Sequence, residues 1–298
     1  MKKAFWQLHL AVFIAGFTGI LGRLITLNEG LLVWYRLLIT SVSLWVLCFL
    51  PNYIVRISMK DALRIAGVGA IAALHWVCFY GSIKSANVSV ALICFSAIGF
   101  FTALLEPLIF RSKTDVIELL LGLLVIAGIY LVFRFDPHYK KGIIIGLISA
   151  LLGSIFPILN RRLLQRVPVK TLTVYQLSGG FVFLTLLLPF YLSYFPEVHF
   201  FPSLSDWIWL IVLSWVCTIF AFTLSMSALQ KISAFTVNLT YNLEPVYGIA
   251  LAFLVFREEK SFGYEFYIGL FLIILSIALQ MMRLWKKHEN NSQNINSN

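Results

Sequence analysis

Residues 118–122 read Glu-Leu-Leu-Leu-Gly, and residues 265–269 read Glu-Phe-Tyr-Ile-Gly. Each pentad opens an apolar run, and the two lie 147 positions apart. Phe110-Arg111 closes the run before the first pentad. Phe256-Arg257 closes the run before the second, at an offset of 146. Trp34-Tyr35-Arg36 and Val174-Tyr175-Gln176 give a third correspondence in the same order. The chain reads as a duplication. Ten apolar runs fill it, at about 7–25, 32–50, 61–83, 86–110, 115–134, 142–164, 170–195, 205–230, 233–257 and 262–283. Each is long enough to cross a hydrocarbon core of about 30 Å at 1.5 Å per helical residue.

Five crossings per copy is an odd number, so the second copy enters the membrane from the opposite face. Repeats of opposite orientation are a recurring way to build a transporter that opens alternately to either side. The expected fold is an all-α polytopic membrane protein, with ten transmembrane helices as two inverted five-helix repeats around a central cavity. The repeats occupy 1–137 and 138–285. The polar, Asn-rich stretch 286–298 is expected to be a disordered cytoplasmic tail.

Composition agrees with this class. The chain has 298 residues, of which 60% are hydrophobic and 12% charged; a soluble domain carries roughly 25% charged residues. The alternating segments of about ten residues that mark a membrane β-barrel are absent. A net charge of +10 would suit a nucleic-acid partner, but the basic residues sit in short loops and no nucleic-acid motif accompanies them. The four cysteines lie inside apolar runs without a CxxC pair, which points to buried thiols and to no metal or cofactor. Lys2-Lys3 before the first run resembles the start of a signal peptide, but no small-residue cleavage site follows; a retained first helix is expected.

Basic residues set the orientation. With the N-terminus inside, 15 Lys and Arg fall on the inner side and 7 on the outer. Both ends are then expected in the cytoplasm of a cell (inner) membrane protein. The pair Lys140-Lys141 opposes that placement. The loop 196–204, with Glu197 and no Lys or Arg, supports it. In the sixth run Gly142, Gly146, Ala150 and Ser154 recur every four residues, a spacing that lets helix backbones approach in lipid. Pro157 in the same run is expected to kink it.

Ionisable groups inside the membrane are costly and call for a role. Two acidic residues qualify: Glu244 near the centre of the ninth run, and Glu106 in the last turns of the fourth. Asn238, Tyr241, Asn242 and Pro245 fall at i, i+3, i+4 and i+7, so their side chains share a helical face that Glu244 borders. Pro245 frees the carbonyl of Tyr241. This group would bind an ammonium, a proton or a polar solute, or else form a hydrogen-bonded network between helices. Glu106 precedes Pro107 and is placed to meet headgroups or a loop arginine. Arg36, a permanent charge one turn inside the second run, either snorkels, pairs with an acid, or anchors a carboxylate. His75 and Trp76 sit in mid-span, His75 as a core histidine or a proton carrier, Trp76 as a cavity wall. Asn160 and Gln176 are weaker candidates from the mirrored half of the site.

The stretch Ala228 to Glu258 carries a resemblance. Ala228-Leu229 is followed by small and polar residues, then by Asn242-Leu-Glu-Pro-Val-Tyr-Gly248, and the run closes on Phe256-Arg-Glu258. With Arg36 and the two five-run repeats, this resembles the EamA-like branch of the drug/metabolite transporter superfamily. The resemblance covers nearly the whole chain. It implies ten helices around a central cavity, and export of small metabolites or amino acids. The first copy departs from the pattern: where the ninth run has Pro245 the fourth has Ala97 or Gly99, and where the ninth ends in Glu258 the fourth ends near Arg111-Ser112.

The expected function is secondary transport of a small-molecule substrate across the bilayer, with protons as a possible coupling ion; no phosphate-binding loop is present. A lipid or lipid-linked sugar flippase is the alternative. A membrane-embedded enzyme fits less well, because the five histidines are scattered and no paired-acid or GxSxG motif occurs. Sequence leaves substrate and oligomeric state open.

Overall fold

The computed structural model describes residues 2–133, 139–196 and 199–296. The junction between the expected repeats, with Arg134 and His138, lies outside them, as do Glu197 and the last two residues of the expected tail. The described elements are helical. They are α1 (Lys2–Leu24), α2 (Glu29–Leu47), α3 (Met59–Ser85), α4 (Val88–Phe95), α5 (Ile98–Phe110), α6 (Val116–Phe133) and α7 (Lys140–Leu163). After these come α8 (Val169–Tyr194), α9 (Leu204–Ser214), a π-helical turn (Trp215–Phe220), α10 (Ala221–Leu229), α11 (Ala234–Tyr241), α12 (Leu243–Phe256), a 3₁₀ turn (Glu258–Ser261) and α13 (Tyr264–Asn296). Among the described residues nine helical stretches are long and apolar enough to cross a membrane, and Val116–Val132 is a shorter apolar helix.

Three runs that read as single helices are interrupted. The fourth breaks at Ser96-Ala97 into α4 and α5, and the ninth breaks at Asn242 into α11 and α12. The eighth contains the π-helical turn. Pro245 falls in the first turn of α12, where a missing N–H costs no hydrogen bond. Its effect is therefore to start a helix, and the shared face inferred for Asn238 to Pro245 is divided at Asn242. The last helix continues to Asn296, so the backbone is helical where composition led to disorder after Lys286. A nucleated helix extends at little cost.

α3 packs along both α7 and α8, α1 lies against α10 and α12, and α6 pairs with α13. Small residues make these approaches possible. A methyl group on Gly142 would lie 2.6 Å from Cβ of Ala86, and one on Gly146 would lie 2.7 Å from Cβ of Cys94. Ser82 Oγ donates to the carbonyl of Gly142 at 2.7 Å. The stripe predicted in the sixth run thus seats α7 on α3 and α4. Gly69 meets the backbone of α8, where a methyl group would be 2.0 Å from the carbonyl oxygen of Gln176. Large apolar side chains such as Leu108, Leu186, Phe190 and Leu254 are exposed on the outside of the bundle, as lipid-facing positions should be.

Contacts define two ends of the bundle. At the near end lie the N-terminus of α1, the C-terminus of α5 and Arg283 of α13, whose guanidinium pairs with Asp115. At the far end Arg23, at the other end of α1, pairs with Glu258 just after α12. Lys84 Nζ also donates there to the carbonyl of Ile25 at 2.8 Å. Thr26 donates to Asp206 through its backbone N–H at 2.7 Å and its hydroxyl at 2.8 Å.

Candidate functional site

A cavity of about 80 Å³ lies in the middle of the bundle. Residues from both copies line it: Thr18 of α1, Arg36 of α2, His75, Trp76 and Tyr80 of α3, Cys217 of the π-helical turn, and Asn238, Tyr241 and Glu244 of the second broken helix. Drug-sized ligands occupy sites of about 300–1,000 Å³, so the cavity is contracted.

Arg36 is 2% exposed. Its Nε donates to Thr218 Oγ1 at 2.6 Å and its Nη1 to the Tyr80 hydroxyl at 3.0 Å. Its guanidinium lies over the Trp76 ring, 4.1 Å from the centroid. The π-helical turn explains how Thr218 is presented. Its hydroxyl donates to the carbonyl of Leu213, five residues back, and this widened turn brings both Thr218 and Cys217 inward. Such single turns are common at functional sites.

Glu244, in the first turn of α12, is 5% exposed. Thr18 Oγ1 is 3.5 Å from its Oε1, but the same hydroxyl lies 2.6 Å from the carbonyl of Ala15, the better acceptor. Glu244 and Arg36 thus line one cavity, and among the described residues no ion pair joins them. Removing a lone charge from water is expensive unless a partner compensates it. A guanidinium and a carboxyl group that share a cavity without meeting leave room for a ligand that satisfies both.

Beside Trp76, the wall carries the aromatic rings of Phe79, Phe95, Phe156 and Phe222. His75 is held by Ser149, with Nδ1 2.9 Å from the Ser149 carbonyl oxygen and 3.0 Å from its hydroxyl. It combines a hydrogen-bonded core position with a place on the cavity wall. Asn238 Nδ2 donates to Thr102 Oγ1 at 2.8 Å, joining α11 to α5 below the cavity.

Of the residues singled out in the sequence, Arg36, His75, Trp76, Asn238, Tyr241 and Glu244 meet here. Four do not. Asn242 and Pro245 are buried behind the wall, at the start of α12. Glu106 lines a second cavity, of about 660 Å³, at the near end, and pairs with Arg161 at 3.0 Å. Gln176 is fully buried where α8 packs on α3, and neither amide atom has a hydrogen-bond partner. Sequence reasoning missed Thr18, Tyr80, Cys217 and Thr218. A hydroxyl or thiol inside an apolar run is too common to be singled out, and only the packing of α1, α3 and the π-helical turn brings these four together.

No curated protein sequence matches the chain. A crystal structure of a protein 16% identical in sequence superposes with a TM-score of 0.68, over 95% of this chain and 97% of the other. That likeness is one of fold. The EamA-like transporter family matches twice, over residues 2–134 and 140–282, and so accounts for both copies of the duplication. The chain belongs to the EamA-like transporter family, part of the drug/metabolite transporter superfamily, and is a multi-pass membrane protein of the transporter class.

Proposed function

We propose that the chain is a secondary transporter that moves small metabolites or amino acids across the cytoplasmic membrane by alternating access. The observation that carries this reading is the pair Arg36 and Glu244, opposite charges facing one contracted cavity between the copies. A solute with a carboxylate and an ammonium group fits that arrangement. Its carboxylate meets Arg36, held ready by Thr218, Tyr80 and Trp76, and its ammonium meets Glu244 and the surrounding aromatic faces. The two copies act as inverted repeats that rock about this site. Glu244 is also the group on which a coupling proton would ride. The near end is assigned to the cytoplasm by the excess of basic residues. Export is the direction that the family resemblance favours.

Counterflow in liposomes loaded with unlabelled amino acids and small metabolites tests this without an imposed gradient. Uptake of a labelled zwitterionic solute by the wild type, strongly reduced in Glu244→Gln, is the expected result. Equal uptake by both proteins removes Glu244 from the site. Translocation of a labelled lipid, with no counterflow of any solute, points instead to a flippase.

A further inference from the structure

The junction at the end of each broken helix occurs twice in the molecule, once joined and once apart. At the far end, Arg257 closes α12 in the left-handed conformation, with φ of 54°, and Glu258 follows. Glu258 is 4% exposed. Its Oε1 accepts from the backbone N–H of Val88 at 3.2 Å, and its Oε2 from that of Ser89 at 2.9 Å and from the Ser89 hydroxyl at 2.6 Å. Arg23 closes an ion pair on the same carboxylate. Asn87 Oδ1 takes the next donor, the Val90 N–H, at 2.8 Å. The first turn of a helix presents unpaired N–H groups and partial positive charge. A carboxylate of the second copy thus caps α4 of the first.

The offset of 146 carries Asn87 to Ser233, Val88 to Ala234, and Glu258 back to Ser112. The backbone repeats accordingly. Arg111 also has φ of 54°, and Ser233 Oγ accepts from the Thr236 N–H at 3.0 Å, as Asn87 does from Val90. The side chain that would bridge the gap differs. Ser112 stands where a carboxylate stands at the far end, and Ser112, Ser233 and Thr236 line the cavity of about 660 Å³, with the Glu106–Arg161 pair also on its wall.

We infer that Glu258 is the latch of the far gate, and that the Ser112–α11 junction is the matching near gate in its open state. The difference between Glu258 and Ser112 biases the resting population toward access from the near end. Glu258 acts through α4 and touches no solute, so it is a positioning residue whose signature is sidedness. The inference rests on the alternating-access reading, but not on the identity of the solute.

Cys217 lines the central cavity and serves as the reporter. In a chain that keeps it and carries Cys48→Ser, Cys78→Ala and Cys94→Ala, a charged, membrane-impermeant methanethiosulfonate is applied to vesicles of each orientation. With Glu258 intact, labelling is expected from the near end. Glu258→Gln is expected to raise far-end labelling about tenfold, the order of effect for losing one helix cap. Ser112→Glu, with Glu258 intact, is expected to slow near-end labelling by a similar factor, and it decides the matter should Glu258→Gln not fold. Access from the near end that neither substitution alters overturns the latch and leaves transport standing. Labelling from neither end in any folded variant overturns alternating access itself.

Discussion

The two broken helices, α4–α5 and α11–α12, repeat one backbone with different chemistry. Both are interrupted near their middle, at Ser96-Ala97 and at Asn242, and both end on a left-handed arginine, Arg111 and Arg257. The first buries mostly apolar side chains, Val88, Val90, Ala91, Leu92, Ile93 and Cys94, and its buried polar groups are the hydroxyls of Ser89, Ser96 and Thr102. The second buries Asn238, Thr240, Asn242 and Glu244. At equivalent positions, Ile98 stands for Glu244 and Gly99 for Pro245. Both Ile98 and Glu244 line the central cavity. The duplicated break supplies the geometry; the second copy's break carries a carboxyl group into the cavity, and the first copy's leaves space beside it.

The largest expected effect follows from exchanging these roles. Glu244→Gln should lower the counterflow rate by about 10- to 100-fold, the worth of a hydrogen bond to a charged group in a dry site. Ile98→Val, at the matching position, should change the rate by no more than about twofold, since it removes a single methylene from the wall. Equal losses from both substitutions would mean that the copies contribute alike, and that the charge is incidental.

A second, smaller effect concerns the space. A methyl group on Gly99 would lie 2.9 Å from Asn242 Nδ2, so the break in one copy is nested into the break in the other. Gly99→Val should destabilise the protein by about 1–3 kcal/mol, as overpacking does. Asn242→Ala in the same chain should recover part of that loss, because it removes the side chain in the way. Thermal unfolding of both single variants and the double variant in detergent gives the coupling directly. Additive losses would show that the two breaks do not bear on each other.

Much of this was legible in the sequence, but unevenly. The apolar runs, the small-residue stripe of α7, and the repeated Phe-Arg ends all follow from local pattern, because lipid and close packing act on each helix separately. Pro245 and the polar residues around it announced that the ninth run was special. Its counterpart at Ser96-Ala97 gave a fainter sign, a glycine at 99 where the ninth run has Pro245. The π-helical turn at Trp215–Phe220 was hidden, having neither proline nor glycine. Gln176 looked like a cavity residue because it is polar inside an apolar run; it lies instead where Gly69 lets α8 come close to α3. The cavity draws on helices far apart in the chain, so a reading of one helical face at a time recovers Asn238, Tyr241 and Glu244, and cannot supply Thr18 or Tyr80.

The smallest expected effect separates the two ends of the bundle. The far end is tied by a buried carboxylate, whereas the near end is tied by Asp115 and Arg283, whose side chains are 29% and 26% exposed. The hydrogen bond from Arg283 holds the Asp115 carboxyl below its usual range, against the opposing effect of burial. A depressed folded-state pKa stabilises the protein above the unfolded-state value of about 3.9, and the stabilisation is lost as pH falls through the folded-state value. Asp115→Asn should therefore cost at most about 1 kcal/mol at neutral pH, since water screens a partly exposed pair. The gap between variant and wild type should shrink as the pH is taken below about 4. Thermal unfolding at pH 7 and under acid conditions measures it. A gap that persists in acid would mean that the charge plays no part, and that Asp115 matters through its side-chain cap on the N–H groups of Ile117 and Glu118 at the start of α6.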